Sequence, residues 1–237
     1  MKTYIWTLPT RLFHWLLVVG LIAAYVLSEE EELLNLHTAF GYMVGLLILF
    51  RLFWGLIGPI YSRFTDFRIG FSSLAAFVKD MNKSKSSYPG HNPAASVIML
   101  GIIVTTMLLV LSGIFLLASH GEGFFAAYTI GLSTDMLEEM HEVFVNLLIA
   151  LVIIHLLGNL VDFVFNRKMG THASIFTGYK NTDMAGAKLN SFQVILAALL
   201  LMVAIAIVPF SYSQQKVNIN KDVQQESDFE SEDEKDS

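Results

Sequence analysis

Histidine is the residue type in this sequence whose position suggests chemistry most directly. Four of the seven histidines fall within or at the ends of apolar runs, namely His14, His37, His141 and His155. An imidazole in hydrocarbon costs free energy unless it has a partner, so a histidine inside a membrane span indicates a functional role. A hydrogen bond between helices is the alternative explanation for any one of them. The remaining histidines lie between the runs, where we expect solvated loop residues: His91, His120 and His172.

The two histidines of the stretch HEVFVNLLIALVIIH lie on one face of the same predicted helix. His141 and His155 are 14 positions apart. At about 1.5 Å of rise and about 100° of rotation per residue, they are about 21 Å apart along the axis and within about 40° of one another. One face of this helix therefore presents an imidazole near each surface of a bilayer.

The other two histidines match these two depths. His14 precedes Glu29, the first charged residue after its run, by 15 positions, so it lies about 22 Å below that surface. This is the depth of His155. His37 begins the second run, at the level of His141. The depths therefore pair His37 with His141 and His14 with His155.

Two facing imidazoles at each of two levels suit a pair of bis-histidine haems. A structural zinc ion normally takes four ligands at one site, which this arrangement does not offer. A proton relay through the histidines remains an alternative. Two haems at different depths would carry electrons across the membrane.

The elements that hold these histidines are predicted to be membrane-spanning helices. The sequence is 54% hydrophobic and only 15% charged, whereas soluble domains are about 25% charged. Each of five apolar runs is long enough to cross a bilayer: 12–28, 36–58, 96–118, 140–163 and 192–210. The absence of cysteine excludes disulfides, thiolate metal sites, iron–sulfur clusters and thioether-linked haem. We therefore predict an all-α integral membrane protein, a four-helix haem-binding bundle with a fifth, C-terminal transmembrane helix.

The distribution of basic residues predicts the orientation. Lys and Arg occur in the N-terminal segment and in connections 59–95 and 164–191, but not in connections 29–35 and 119–139. By the positive-inside rule the N-terminus is cytoplasmic and the C-terminal tail lies outside. From Lys216 onward there are eight acidic residues and three lysines, and we predict that the tail is disordered. The rest of the chain has a net charge of about −1 and no broad basic face for nucleic acid.

Residues near the histidines have two explanations each. Gly41 and Gly45 follow His37 on its own helical face, where they allow either a flat macrocycle or a neighbouring helix to approach. Arg11 and Arg51 lie at the cytoplasmic ends of the first two spans, where they can pair with haem propionates or with lipid phosphates. Within connection 59–95, the apolar face of SLAAFVKDM (73–81) predicts a short helix in the membrane interface.

Several segments together resemble the bacterial cytochrome b561-like family, which includes the cytochrome b subunits of nickel–iron hydrogenases and the gamma subunit of formate dehydrogenase. These segments are RLFHWLL, HTAFGYMVGLLILFRLFWGLIG, GHNPAA, HEVFVNLLIALVIIHLLGNLVD and SIFTGYK. The resemblance covers about 1–180, which we predict as the di-haem domain. We assign 181–212 to the additional transmembrane helix and 213–237 to the disordered acidic tail.

The resemblance implies that His14 and His155 bind the inner haem b and that His37 and His141 bind the outer one. It also implies a bacterial inner-membrane protein that passes electrons between an outer partner and menaquinone or ubiquinone. A hydrogenase subunit, a dehydrogenase subunit or a cytochrome c is the expected partner. His91, Asn92 and His155 are the residues that the resemblance places near the quinone.

Two other functions stay open from the sequence. One is a stand-alone quinone-linked oxidoreductase of the superoxide oxidase type, which would use the same haems. The other, a transporter or channel, requires charges or broken helices around a midplane site. Arg51 is the only charge well inside a predicted span, which disfavours transport.

Overall fold

We analysed a computed structural model that describes residues 1–80, 88–128, 131–165 and 167–233. In these ranges the chain forms helices and one short pair of strands. In chain order they are β1 (Lys2–Tyr4), α1 (Leu8–Leu27), α2 (Leu34–Ile57), α3 (Phe71–Asp80), α4 (Pro93–Ser119), α5 (Thr134–Phe165), α6 (Thr171–Thr177), β2 (Tyr179–Asn181) and α7 (Ser191–Asp233).

Five helices in the described ranges are long and apolar enough to span a membrane, and they coincide with the five predicted runs. They are α1, α2, α4, α5 and the first part of α7. Proline occupies the first turn of α1 and of α4, where its missing N–H costs no hydrogen bond. The prediction of an all-helical, multi-pass membrane protein is therefore confirmed.

Helix α2 lies at the centre of the bundle, in contact with α1, α4 and α7. Helix α5 packs chiefly on α4, which leaves much of its apolar surface for lipid. Ala197 and Ala204 of α7 are buried in the same cluster as Met43 and Leu47 of α2. Such small residues let two helix backbones approach closely, so the fifth helix is an integral part of the bundle.

The two ends of the bundle differ in charge and structure. We call the end formed by connections 28–33 and 120–133 the acidic end, and the end formed by 1–7, 58–92 and 167–190 the basic end. At the basic end β1 pairs antiparallel with β2, with Thr3 opposite Lys180. The Trp6 indole N–H also donates to Ser174 Oγ at 3.1 Å. The segment after α5 is thereby fixed against the start of the chain.

Two predicted features are only partly described. The short helix predicted at 73–81 is present as α3, although Met81 lies outside the described residues and the location of α3 in the membrane interface stays a prediction. The backbone of α7 is helical to Asp233, into the segment for which the sequence predicts disorder. Side chains after Gln214 lie outside the described part of the chain. The disordered tail and the domain boundaries therefore stay predictions.

Candidate functional site

His37 of α2 and His141 of α5 face one another near the acidic end. Their ring centres are 6.3 Å apart, and their planes are inclined at 72°. An imidazole nitrogen binds a transition metal at about 2 Å and lies about 1 Å from its ring centre, so rings on opposite sides of one ion have centres about 6 Å apart. The observed spacing fits a single metal ion held between the two rings.

Hydrogen bonds orient both of these rings. His37 Nδ1 lies 2.7 Å from the carbonyl oxygen of Ala24 on α1. His141 Nδ1 lies 3.0 Å from Ser112 Oγ on α4, and that hydroxyl donates to the Leu109 carbonyl. The Ala24 carbonyl can only accept, and the Ser112 hydroxyl already gives its hydrogen to Leu109, so each Nδ1 is the donor and each Nε2 keeps its lone pair free. This is the usual arrangement of a metal-binding histidine with a hydrogen bond on its other nitrogen.

Glycines shape the space around this pair. A Cβ added to Gly41 would meet no atom within 4 Å, whereas one on Gly113 would lie 3.0 Å from His141 Cε1. A Cβ added to Gly45 would lie 3.0 Å from Val110 Cγ1 of α4. Open space for a flat group therefore lies beside Gly41, and Gly45 instead allows α2 to approach α4.

His14 and His155 form the second pair, closer to the basic end. The two imidazoles lie near enough to interact electrostatically. Within the described part of the chain, His14 Nδ1 is buried without a hydrogen-bond partner. An unpaired buried polar atom costs about 1–3 kcal/mol, and a ligand or a metal would remove this cost. His155 Nε2 lies 3.1 Å from Asn159 Nδ2, one turn further along α5.

The two arginines at the basic end have different environments. Arg51 is only 4% exposed; it donates to the Ser62 carbonyl at 3.1 Å and lies over the ring of Phe64. It therefore does not reach lipid phosphates, which removes one of the two explanations considered for it. Arg11 donates from Nη1 to the Phe176 carbonyl of α6, and its Nε is buried without a partner among the described residues.

His91 is packed between aromatic rings and only partly exposed, which corrects the expectation of a freely solvated loop histidine at this position. Its ring centre lies 4.9 Å from that of Trp6 and 5.1 Å from that of Phe67. Burial lowers the pKa of His91 to about 3, with further lowering by the nearby positive charges of Arg51 and Lys180. The imidazole is therefore neutral at physiological pH.

Asn92, the other residue predicted beside the quinone, has a structural role. Its Oδ1 accepts a hydrogen bond of 2.8 Å from the Ala95 N–H and so caps α4. Such a cap is worth about 1 kcal/mol. The side-chain oxygen is thus already engaged, although the residue lies next to His91.

Four groups that contact or approach the predicted site residues are not predicted from the sequence. They are the Ala24 carbonyl, Ser112, Asn159 and Lys180. Asn159 could have been found, since it follows His155 by one helical turn. Ser112 and Ala24 approach the histidines only through packing between helices. In the sequence, Lys180 is only one of the basic residues that indicate which side of the membrane connection 164–191 faces.

Comparison with known protein families finds a match over most of the chain. The family model described as prokaryotic cytochrome b561 matches residues 5–178. No curated protein and no solved structure matches the chain. The matched range contains all four histidines of the two pairs, together with Arg11, Arg51, His91 and Asn92.

Proposed function

Because the chain belongs to the prokaryotic cytochrome b561 family, we propose that it is a di-haem electron-transfer subunit. It would pass electrons between a redox partner at the acidic end and quinone near the basic end. The observation that carries this proposal is the spacing of His37 and His141, with both Nδ1 atoms hydrogen-bonded. A haem b held by two histidines supplies one-electron transfer when it is bound.

The residues of the chain would hold and orient the two haems. His37 and His141 would hold one haem at the acidic end, and His14 and His155 would hold the other at the basic end. Ala24 and Ser112 fix the ring orientation of the first pair. Two histidines for each haem agree with the finding that, in the described ranges, no group of three or more His, Asp or Glu side chains could hold a metal ion.

The basic end would face the cytoplasm of a bacterium and the acidic end the periplasm. The support is the positive-inside rule, since lysines and arginines cluster in the connections of the basic end. Multi-pass insertion in the inner membrane then places His14 and His155 on the cytoplasmic half. This orientation lets electrons cross the bilayer between the two pairs.

Menaquinone or ubiquinone would react beside His91. This imidazole is neutral and rests between aromatic rings, near enough to His155 for an electrostatic interaction. A neutral imidazole can donate an N–H to a quinone carbonyl and accept a proton from a quinol hydroxyl. The Arg11 and Arg51 guanidinium groups would pair with haem propionates.

The charge of the acidic end favours a protein partner over a small anion. Residues 12–50 and 97–150 contain nine acidic side chains and no Lys or Arg. This field repels superoxide, an anion, and attracts a partner with a basic face. This charge therefore favours a subunit that works with a hydrogenase, a dehydrogenase or a cytochrome c over a stand-alone superoxide oxidase.

Purified protein in lipid nanodiscs tests this function. The expected result is a b-type spectrum that becomes reduced on addition of a soluble menaquinol or ubiquinol analogue. Electrons should then pass on to an added basic cytochrome c, faster at low than at high ionic strength. Purified protein without a haem spectrum, or one that no quinol reduces, would contradict the proposal. Steady turnover with superoxide and quinone alone would support the other function.

A further inference from the structure

Lys180 is an unusual buried cation at the basic end. Its side chain is 3% exposed, and its Nζ lies 3.3 Å from the Gly90 carbonyl and 5.3 Å from the centre of the Trp6 ring. Lysine is almost never fully buried unless it is paired. Its backbone, opposite Thr3 in the two-stranded sheet, fixes this location.

The neighbours of Lys180 connect it to both water and the second histidine pair. Asp162 of α5 interacts with it electrostatically and is only partly buried. His91 follows Gly90 in the chain, and its ring lies 4.9 Å from the Trp6 ring that Lys180 also approaches. His91 interacts electrostatically with Lys180, Arg51 and His155. Among the described residues, the charged or titratable side chains that interact electrostatically with Lys180 or His91 are Asp162, His91, Lys180, Arg51 and His155.

Helix geometry places Asp162 in line with the site. Asp162 follows His155 by seven positions, so the two lie on the same face of α5, about 10 Å apart along its axis. Asn159 lies between them on that face and contacts His155. Polar side chains therefore extend from His155 to the surface of the basic end, with Lys180 beside the last of them.

We propose that Lys180 is the proton-transfer residue for the quinone site, passing protons between His91 and water beside Asp162. This inference rests on the proposed function and adds the route of the protons. Oxidation of one quinol gives one quinone, two electrons and two protons. The two haems, when bound, would accept the two electrons. The two protons leave the quinol hydroxyls in turn through His91 to neutral Lys180, which releases the first to water beside Asp162 before it accepts the second. Reduction of quinone uses the same path in the opposite direction, with protonated Lys180 as the donor.

The ionisation of Lys180 suits this role. Burial lowers the pKa of Lys180 to about 8, and the nearby Asp162 carboxylate raises it in part. A group with a pKa close to the working pH exchanges protons in both directions. His91 remains neutral at this pH and can pass protons on without storing charge.

The pH dependence of electron transfer from quinol tests this inference. We would measure the rate of haem reduction by decylubiquinol, or by a soluble menaquinol, between pH 6 and 10 in nanodiscs. The wild-type rate should rise with pH around 8, since neutral Lys180 is the acceptor. Lys180→Met should lower the rate at pH 8.5 by at least about tenfold and remove this rise. Lys180→Arg, which stays charged, should behave like Lys180→Met.

Two further variants separate this role from a structural one. Lys188→Met is the matched control, because Lys188 is an exposed lysine of the same connection, and it should leave the profile unchanged. Asp162→Asn should move the midpoint to lower pH, because it removes a carboxylate that raises the pKa of Lys180. Quinone affinity, measured by equilibrium titration of tryptophan fluorescence, and haem content should remain within about twofold of wild type in the Lys180 variants.

The possible outcomes are distinguishable. A Lys180→Met protein with the wild-type rate and pH profile overturns the proton route and leaves the proposed function intact. A midpoint that does not move in Asp162→Asn also overturns it, even if the Lys180 variants fail to fold. A wild-type protein whose haems exchange no electrons with either quinol overturns both proposals.

Discussion

His37 and His141 belong to different helices, and their ring centres lie 6.3 Å apart. A hydrogen bond to another helix fixes each ring. His37 bonds to the Ala24 carbonyl of α1, and His141 bonds to the Ser112 hydroxyl of α4. One helical turn after His37, a Cβ added to Gly41 would meet no atom within 4 Å. Four helices therefore hold the two imidazole rings in this arrangement.

Replacement of Ser112 should weaken haem binding at the acidic end. Ser112→Ala removes the acceptor of His141 Nδ1, which leaves the ring free to rotate. Loss of such a hydrogen-bond partner typically costs about 10–100-fold in metal affinity. Transfer of haem to apomyoglobin measures the loss. Ser119→Ala, on the same helix, removes a hydroxyl bonded to Leu116 and Thr134 and is the control. Equal haem retention in both variants would contradict the role of Ser112.

A large side chain at Gly41 should exclude the haem without disturbing helix packing. No atom lies within 4 Å of a Cβ added there, so Gly41→Phe can fold, and helix propensity improves by up to about 1 kcal/mol relative to glycine. The expected result is loss of one haem with unchanged helical circular dichroism. Gly45→Ala should instead retain both haems but disturb helix packing, since its Cβ would press on Val110. Full haem content in Gly41→Phe would show that no haem occupies the space beside Gly41.

Removal of the Arg51 charge should lower the reduction potential of one haem. A buried cation favours the reduced state of a nearby haem, because reduction adds negative charge. Arg51→Gln should lower the potential of the basic-end haem by about 60 mV, a tenfold change in the equilibrium constant for one electron. Redox titration of the visible spectrum measures both haems in one experiment. The acidic-end haem is the internal control, and a larger shift there would contradict the placement of Arg51.

Lys180 should reduce the stability of the protein at neutral pH. Its pKa is about 8 in the folded chain and 10.5 in the reference state. The folded pKa is the lower one, so the cost is fully present below pH 8 and disappears as pH rises toward 10.5. The difference corresponds to about 3 kcal/mol, less about 1 kcal/mol for the hydrogen bond to Gly90. Lys180→Met should therefore melt at a higher temperature than wild type at pH 7, by a margin that narrows above pH 8. A lower melting temperature at pH 7 would contradict this cost.

The sequence predicts the five spans and the depths of the four histidines because both depend on hydrophobic length and on rise per residue. His141 and His155 are placed on one face of α5 by their separation alone. The structure brings His37 to His141 at a distance that fits the predicted pairing. For His14 and His155 it shows proximity and an unpaired nitrogen.

Other features depend on contacts that no local pattern encodes. The packing of α7 on α2 is one, since hydropathy does not specify the partner of an apolar helix. The pairing of β1 with β2 joins residues that lie just outside the two ends of the matched range, and this contact fixes the location of Lys180. The hydrogen bond from His141 to Ser112 likewise depends on the rotation of α4 about its axis.

The haem content of His141→Ala tests the central claim most directly. The pyridine haemochrome spectrum of the purified protein gives the number of b haems per chain. We expect two b haems in wild type, two in the control variant His120→Ala, and one in His141→Ala, with the remaining haem still reducible by quinol. Two haems with unchanged spectra in His141→Ala would contradict it.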